Sequence, residues 1–241
     1  MQTSKHGNAF TNNPIVRAIG LQRIVVVLAV ILEAIFFSVM SASFRQYATV
    51  VSILDYSYYI TFMAIGVTFC LISGGNDLSG GSVSAAAGII VAWGLKNTEM
   101  HWFWLMMIAL VFSAVCGLLN ALMVTKLNIV PFIATLASQS VWRGVAYLFC
   151  EGAPIPIRDP GFAEFTKGRL FGSSGIPYSV ILMVVMFCIF GFILSKTKFG
   201  RSIFAIGGNQ EAARLAGINS NRIKIITYVM TSVFVGLAGV I

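Results

Sequence analysis

The sequence predicts an all-α fold, a polytopic transmembrane helix bundle with about seven spans in one domain that covers residues 1–241. Apolar residues make up 58% of the chain and charged residues only 10%, whereas soluble globular domains have about 45–50% and about 25%. The mean hydropathy is +0.88. Apolar runs recur along the chain at the length of about 20 residues that a helix needs to cross a bilayer core.

The predicted spans follow one another from near the N-terminus to the last residue. The first begins after a polar segment and is followed by no small-residue cleavage site, so we interpret it as a span and not as a signal peptide. The last run is still apolar at Ile241, which leads us to expect that the chain is a fragment. The spans are predicted at 24–43, 57–73, 78–95, 102–125, 129–150, 178–195 and 225–241.

The net charge of +8 is distributed in a way that predicts the orientation of the chain. With the N-terminus inside, ten of the sixteen Lys and Arg residues fall on the cytoplasmic side and five on the opposite side, while Arg143 lies within the fifth run. Cytoplasmic loops of membrane proteins carry such an excess. We therefore predict a multi-pass protein with a cytoplasmic N-terminus and membrane lipid around it. Nucleic acid is excluded as a partner because no basic aromatic face accompanies the charge.

The stretch SGGNDLSGGS, residues 73–82, is predicted to be the broken foot of a membrane helix. The run 82–95 alone would reach about 21 Å, whereas including 74–81 gives about 33 Å, enough for a core of about 30 Å. Asp77 and Ser79 are predicted to cap this helix. The predicted helix-break or gate residues are Gly74, Gly75, Asp77, Ser79 and Gly81, and the predicted small-residue packing stripe is Gly80, Ser84, Gly88 and Ala92.

The polar, basic segment 196–224 is predicted to be a cytoplasmic coupling loop that contains short helices. Asn209 can cap a helix by accepting a backbone N–H bond, and residues 210–216 are good helix formers. Gly217 suits the left-handed position that follows a helix end. A second short helix is predicted to lead from there into the last span.

The side chains of this predicted helix favour its docking on a partner protein. Glu211 and Arg214 lie three residues apart and can pair on one helix face. A helix rich in alanine, with a few anchoring side chains, can insert closely into a groove of a partner protein. A solvated loop with incidental helicity fits the same residues.

Two motifs give the chain a specific resemblance to a known family. GRSIFAIGGNQEAARLAGI, residues 200–218, resembles the cytoplasmic signature of permease subunits in sugar-importing ABC transporters of the ribose type. GGNDLSGGS, residues 74–82, resembles a second signature, usually written GGIDLSVGS, and departs from it at Asn76 and Gly80. The two motifs stand in the family's order with the family's number of spans between them, and the resemblance covers essentially the whole chain.

The resemblance implies a permease subunit in a bacterial inner membrane that forms the path for a monosaccharide or similar small carbohydrate. Such permeases resemble bundles of about ten helices, so about three would be missing here. The implied partners are a cytoplasmic ATP-binding subunit, a periplasmic sugar-binding protein, and a second permease copy or a related permease. The chain contains no GxxxxGK[ST] phosphate loop, so ATP is expected on the partner subunit, and this chain is expected to have no catalytic residue and no cofactor. The resemblance assigns ATPase coupling to Asn209, Glu211, Ala212, Ala213, Arg214 and Gly217.

Polar residues within the spans are candidates for the translocation path, namely Asn120, Trp142 and Arg143. Sugars need hydrogen-bonding partners and stacking faces, and Trp142 offers such a face. An ionisable group at membrane depth usually faces a partner or a watery cavity. Hydrogen bonding between helices is the alternative role for Asn120.

The loop 151–177 is predicted to face outward, and we hypothesise that its charged residues receive the binding protein. The alternative is an ordered lid whose charges are solvated. The charged residues are Arg158, Asp159, Glu164, Lys167 and Arg169.

Two other function classes were compared with the ABC permease. A secondary transporter driven by an ion gradient also uses broken membrane helices. An intramembrane serine protease would match GSSG at 172–175, but it needs a base near the serine, and the only histidines are His6 and His101.

No metal site and no disulfide is predicted, because no CxxC spacing occurs among four widely separated cysteines, Cys70, Cys116, Cys150 and Cys188.

Overall fold

The computed structural model describes residues 21–170 and 175–241, which are almost entirely helical. The described residues divide into two compact units at the boundary between Ser52 and Ile53. In the first unit, α1 (Leu21–Met40) is followed by a 3-10 helix (Ser43–Arg45), and the Arg45 guanidinium donates a hydrogen bond to the carbonyl of Ser38. The predicted cytoplasmic N-terminus and Ser174 of the GSSG motif lie outside the described residues.

The second unit contains most of the predicted bundle. α2 (Tyr47–Ile72) begins in the first unit and continues into the second. The elements that follow it are α3 (Gly80–Asn97), α4 (Trp102–Thr125), α5 (Pro131–Cys150), α6 (Pro160–Lys167), β1 (Arg169–Leu170), β2 (Ile176–Pro177), α7 (Tyr178–Lys196), α8 (Lys198–Gly208), α9 (Gln210–Leu215) and α10 (Ser220–Val240).

Each predicted span coincides with a long helix, although several ends are shifted. α2 begins at Tyr47 and not near residue 57, because Asp55 is accommodated inside the helix, where it accepts a hydrogen bond from Ser179 Oγ at 3.1 Å. α3 begins at Gly80 and not at residue 78 as predicted. The Ser79 N–H donates to the Asp77 side chain, so the residues just before Gly80 form a local turn and not a helix. α5 begins with Pro131, whose fixed φ and missing N–H suit the first helical position.

Four of the described helices are long and apolar enough to cross a membrane by length and composition: α2, α4, α7 and α10. α3 is rich in Gly, Ala and Ser, and α5 carries Gln139 and Arg143. These compositions lower the hydropathy of the two helices, which is typical of helices that face other protein rather than lipid. That all seven predicted spans cross the membrane stays a prediction.

Within the second unit, α10 packs against α3 and α4, and ten of its residues are buried. Two glycines of neighbouring helices allow a close approach to it. A Cβ atom at Gly66 of α2 would lie 2.9 Å from the Cα atom of Thr231, and one at Gly117 of α4 would lie 2.7 Å from the Tyr228 carbonyl oxygen. Small residues therefore set the separation between α10 and the helices around it.

Two segments predicted as loops contain more regular structure than expected. The segment 151–177, predicted to face outward, includes α6 and the antiparallel pair of β1 and β2. Asp159 Oδ1 accepts the Phe162 N–H at 2.7 Å and so caps α6. In the segment 196–224, the structure contains one helix that was not predicted, α8, which comes before the predicted short helix. The buried face of α8 packs on α2, and this contact stabilises it.

Candidate functional site

The predicted coupling loop, residues 196–224, contains three helix starts, each capped by a side chain. Thr197 Oγ1 accepts the Gly200 N–H at 3.2 Å before α8, and Asn209 Oδ1 accepts the Ala212 N–H at 2.9 Å before α9. Asn219 Oδ1 accepts the Arg222 N–H at 3.0 Å before α10. Such caps satisfy amide groups that the helix itself leaves unpaired. The loop therefore has a defined conformation along its length.

The end of α9 is closed by a left-handed glycine. Gly217 has φ +82°, a conformation that other residues adopt with strain. Its N–H donates to the Arg214 carbonyl at 3.0 Å, and the Ile218 N–H donates to the Ala213 carbonyl at 3.0 Å. This double pairing is a Schellman motif, and it turns the chain from α9 towards α10.

One face of α9 is anchored and the other is presented outward. Ala213 is buried, whereas the Glu211 and Arg214 side chains are mostly exposed and pair at 2.7 Å. Leu215, which lies outside the predicted apolar spans, is 81% exposed. An exposed i,i+3 ion pair contributes only about 0.2–0.5 kcal/mol to helix stability, so this pair is not what holds α9 in place.

A polar cleft separates α9 from the start of α10. It has a volume of about 480 Å³ and includes three of the predicted coupling residues. Lys224 Nζ donates to Gln210 Oε1 at 2.7 Å across the two helices. The residues that line the cleft are Gln210, Glu211, Arg214, Gly217, Ile218, Asn219, Ser220 and Asn221.

α8 fixes the coupling loop to the end of α2. Ile203 and Ile206 are buried, and Ile203 packs in a cluster with Phe62 and Phe69 of α2. A Cβ atom at Gly207 would lie 1.8 Å from the Ile72 carbonyl oxygen, so any larger residue would force the helices apart. Ile72 is the last residue of α2, so the anchor lies next to the helix break.

The break between α2 and α3 comprises residues 73–79, which are not helical. Gly74 has φ +77°, which starts the turn out of α2. Asp77 Oδ1 accepts hydrogen bonds from the Ser79 N–H at 2.9 Å and the Ser79 hydroxyl at 2.6 Å. Asn120 Nδ2 donates to Ser79 Oγ at 2.9 Å. The three side chains form one buried chain of hydrogen bonds that links the break to α4.

This arrangement differs from the predicted cap. The Ser79 side chain makes no capping bond to α3, and Asp77 pairs with Ser79 rather than with the first amides of the helix. Both residues are buried, Asp77 being 6% exposed. Asp77 Oδ2 and Asn120 Oδ1 have no partner among the described residues. A buried carboxylate with one unpaired oxygen is costly in free energy and is often found at functional positions.

The predicted packing stripe of α3 lies against α10. A Cβ atom at Gly80 would lie 3.3 Å from Val235 Cγ2, and one at Gly88 would lie 2.5 Å from the Gly239 carbonyl oxygen. Ser84 and Ala92 are buried. A Cβ atom at Gly81, by contrast, would meet nothing within 4 Å, so Gly81 is placed outside the close contact.

The three candidates for the translocation path are not brought together. Asn120 is fully buried at the break. Trp142 packs edge-on against Phe112 with ring centroids 5.2 Å apart and borders an apolar groove between α4 and α5. Arg143 is exposed on α5 and does not line that groove. The structure therefore places Asn120 apart from the other two.

Charged residues of the segment 151–177 lie around two clefts. Arg158 and Asp159 border one of about 620 Å³ together with Lys96. Lys167 and Arg169 border one of about 400 Å³ that also contains Asp55, and Arg169 lies 4.0 Å from the Asp55 carboxylate. Lys96 and Asp55 were not predicted, since each is isolated in the sequence from the charges that it faces.

Tyr228 and Thr227 of α10 were also not predicted, although they contact the break directly. The Tyr228 hydroxyl accepts the Asn76 N–H at 3.2 Å and donates to the Asn76 carbonyl at 3.3 Å. Thr227 Oγ1 lies 3.4 Å from Ser73 Oγ. The sequence does contain a signal for this contact, because Thr227 and Tyr228 are adjacent polar residues inside an otherwise apolar run. Such residues in a membrane helix usually form hydrogen bonds with a neighbouring helix.

Comparison with known proteins places this geometry in a family. The family described as "Branched-chain amino acid transport system / permease component" matches residues 49–241. This match includes the break, the segment 196–224, all of α2 except its first two residues and every described helix after α2. The chain belongs to this permease family. Family membership and the apolar helices together support a multi-pass inner-membrane protein.

Several curated relatives of this permease carry the names of sugars. It is 38% identical to the L-arabinose transport system permease protein of Escherichia coli K12 over 179 residues, which cover 74% of this chain and 53% of that protein. It is 34% identical to the ribose import permease protein of Bacillus subtilis 168 over 223 residues, covering 92% and 68%. Against the galactose/methyl galactoside import permease protein of Escherichia coli K12 it is 32% identical over 233 residues, covering 90% and 69%.

The chain spans about half the length of the arabinose permease and about two thirds of the ribose and galactose permeases. The family description names branched-chain amino acids, whereas these relatives are named for sugars. No solved structure matches the chain significantly.

Proposed function

We propose that this permease is the membrane-spanning subunit of an ATP-driven ABC importer for a monosaccharide or similar small carbohydrate. A periplasmic binding protein delivers the sugar, and a separate cytoplasmic subunit binds and hydrolyses ATP. A second copy of the chain, or a related permease, completes the path. The chain itself contributes no ATPase site, and its N-terminus faces the cytoplasm.

The observation that carries this proposal is the construction of α9. The helix is short, capped at Asn209, closed at Gly217 and anchored through Ala213, yet it presents Leu215 to the outside. A rigid helix with an exposed apolar anchor is suited to insertion into a groove of another protein. The ATPase-coupling role is accordingly proposed for Asn209, Glu211, Ala212, Ala213, Arg214 and Gly217.

The sugar class is favoured over amino acids by the relatives. The relatives named for arabinose, ribose and galactose match over 74%, 92% and 90% of this chain, whereas the family description alone would also allow branched-chain amino acids. The gate is proposed at the break 73–79, where irregular backbone is buried by protein. Trp142 and Arg143 remain candidates for sugar contact on the path beyond the break.

The test is transport by the complete system in proteoliposomes. The full-length permease, its ATPase subunit and its binding protein are reconstituted, and uptake of radiolabelled L-arabinose, D-ribose, D-galactose and L-leucine is measured with and without ATP. We expect ATP-dependent uptake of at least one sugar and none of leucine. Uptake of leucine alone would contradict the sugar class.

The ion-gradient alternative is distinguished in the same experiment. A buried acidic residue at a helix break, such as Asp77, is also a feature of secondary transporters. Sugar uptake that follows a proton or sodium gradient in liposomes without the ATPase subunit would overturn the ABC proposal. Uptake that is abolished by removing ATP and unaffected by ionophores would support it.

A further inference from the structure

α10 contacts both α9 and the helix break within its first three turns. At its start, Lys224 Nζ bonds to Gln210 of α9 at 2.7 Å. One turn later, the Thr227 and Tyr228 side chains reach residues of the break. Further on, Thr231 Oγ1 donates to the Gly66 carbonyl of α2 at 2.8 Å. One helix therefore connects the cytoplasmic loop, the break and the body of the bundle.

The contact at Tyr228 is the most specific of these. Tyr228 is fully buried, and its hydroxyl pairs with both backbone groups of Asn76 at 3.2 and 3.3 Å. Asn76 lies in the non-helical break, so its amide and carbonyl lack the partners that a helix would supply. The carbonyl is shared with Thr135 Oγ1 at a longer 3.4 Å. Tyr228 thus replaces helical hydrogen bonds at the centre of the break.

The packing around Tyr228 leaves little freedom for α10 to slide. A Cβ atom at Gly75 would lie 3.0 Å from the Tyr228 hydroxyl, and one at Gly117 would lie 2.7 Å from its carbonyl oxygen. Tightly packed interfaces of this kind move as units rather than deform gradually. On the other side of the break, α8 is fixed to Ile72 through Gly207. The coupling loop is therefore attached to the break from both of its sides.

We propose that Tyr228 is a positioning residue that transmits displacement of the coupling loop to the break through its hydrogen bonds to the Asn76 backbone. The inference rests on the proposed function and extends it, since it states how movement of α9 reaches the gate. It predicts that removal of one hydroxyl separates ATP hydrolysis from transport without disassembling the transporter.

The test is Tyr228→Phe in the full-length permease, reconstituted with its ATPase subunit and binding protein. Phenylalanine keeps the buried ring and removes the hydroxyl. Radiolabelled L-arabinose, D-ribose and D-galactose serve as probes, and sugar uptake and phosphate release are measured in the same vesicles. We expect sugar transported per ATP hydrolysed to fall about tenfold, within the range of typical coupling free energies. If the sugar transported per ATP hydrolysed stays within twofold of wild type, the inference is overturned. This holds even if sugar uptake and phosphate release both become slower, because they would then still be coupled.

Two further variants keep the result interpretable. Tyr147→Phe removes a hydroxyl from a residue that is 58% exposed on α5 and is expected to leave the ratio unchanged. If Tyr228→Phe does not assemble, Tyr228→4-fluorophenylalanine fills the volume of the hydroxyl while removing its O–H donor to the Asn76 carbonyl, and we expect the ratio to fall at least about fivefold. An unchanged ratio in that assembled transporter overturns the inference. Absence of ATP-dependent uptake in the wild type would instead contradict the proposed function.

Discussion

Gly88 of α3 and Gly239 of α10 face each other with almost no space between their backbones. A Cβ atom at Gly88 would lie 2.5 Å from the Gly239 carbonyl oxygen, and one at Gly239 would lie 2.1 Å from the Ser84 carbonyl oxygen. The two helices therefore touch through main-chain atoms on both sides of the contact. Close crossing at small residues is how membrane helices gain van der Waals contact in the absence of a hydrophobic driving force.

Gly88→Leu is expected to disrupt this crossing and prevent assembly. Leucine cannot fit unless α3 and α10 separate, and overpacking of a tight site costs about 1–3 kcal/mol or more. We expect low accumulation in membranes and a lower melting temperature in detergent. Gly144→Leu is the matched control, because a Cβ atom there meets nothing within 4 Å. Equal stability of the two variants would show that α3 and α10 do not cross at Gly88.

Asp77→Asn is expected to impair transport while assembly is kept. Asparagine is isosteric and keeps an oxygen that can accept both bonds from Ser79, but it removes the negative charge next to the start of α3. The interaction of a partly buried charge with the helix dipole is worth up to about 2 kcal/mol, so the gate equilibrium is expected to shift by about tenfold or more. Reconstituted sugar uptake and gel filtration measure the two effects.

The comparison with Asp77→Ala separates charge from local structure at the break. Alanine also removes the acceptor for Ser79, so this variant is expected to lose stability as well as transport. Normal transport by Asp77→Asn would refute the role of the charge, and equal destabilisation of both variants would show that Asp77 is a structural residue alone.

The sequence predicted the elements whose signal is local. Runs of apolar residues located the seven long helices, and the residue types at Asn209 and Gly217 predicted the two ends of α9, which the structure has as a cap and a Schellman motif. Both depend on neighbours within a few residues. The N-terminal extension of α2 was missed, because Asp55 reads as a loop residue unless its partner Ser179 is known.

The contacts at the break could not be predicted in the same way. Asn76 and Tyr228 are 152 residues apart, and no periodicity in either segment indicates that they meet. The same holds for Ser79 and Asn120, which are 41 residues apart. The capping of α3 by Ser79 was a reasonable expectation from spacing, but the tertiary hydrogen bond to Asn120 takes its hydroxyl. Long-range partners therefore decided the chemistry of the site, while local rules decided its position.

Gly75→Cys is expected to allow the break to be locked by oxidation. A Cβ atom at Gly75 would lie 2.8 Å from Cys70 Sγ, close to the separation of about 3 Å between a Cβ atom and the partner sulfur in a disulfide. Oxidation by copper phenanthroline is expected to join the two residues and stop sugar uptake, and dithiothreitol is expected to restore it. Because Cys70 is fully buried, thiols are labelled with maleimide after denaturation, and the loss of two labelled thiols measures formation of the bond.

The control for this lock is Gly75→Cys combined with Cys70→Ala, which cannot form the bond and whose transport should not respond to oxidant. Wild-type protein, with its own four cysteines, reports any other effect of oxidation. Formation of the Cys70 disulfide without loss of uptake would show that the backbone at Gly75 does not need to move during transport.

Leu215→Ser is expected to weaken binding of the ATPase subunit without affecting the permease itself. The side chain is 81% exposed, so folding gains almost nothing from it, and the melting temperature of the isolated permease should not change. If α9 docks in a groove, burial of this leucine contributes about 1.5–3 kcal/mol, and co-purification of the ATPase should fall at least about tenfold. Leu148→Ser is the matched control, because Leu148 is 80% exposed on α5. Retention of the ATPase by Leu215→Ser would favour the other interpretation of the segment, in which α9 is a solvated helix.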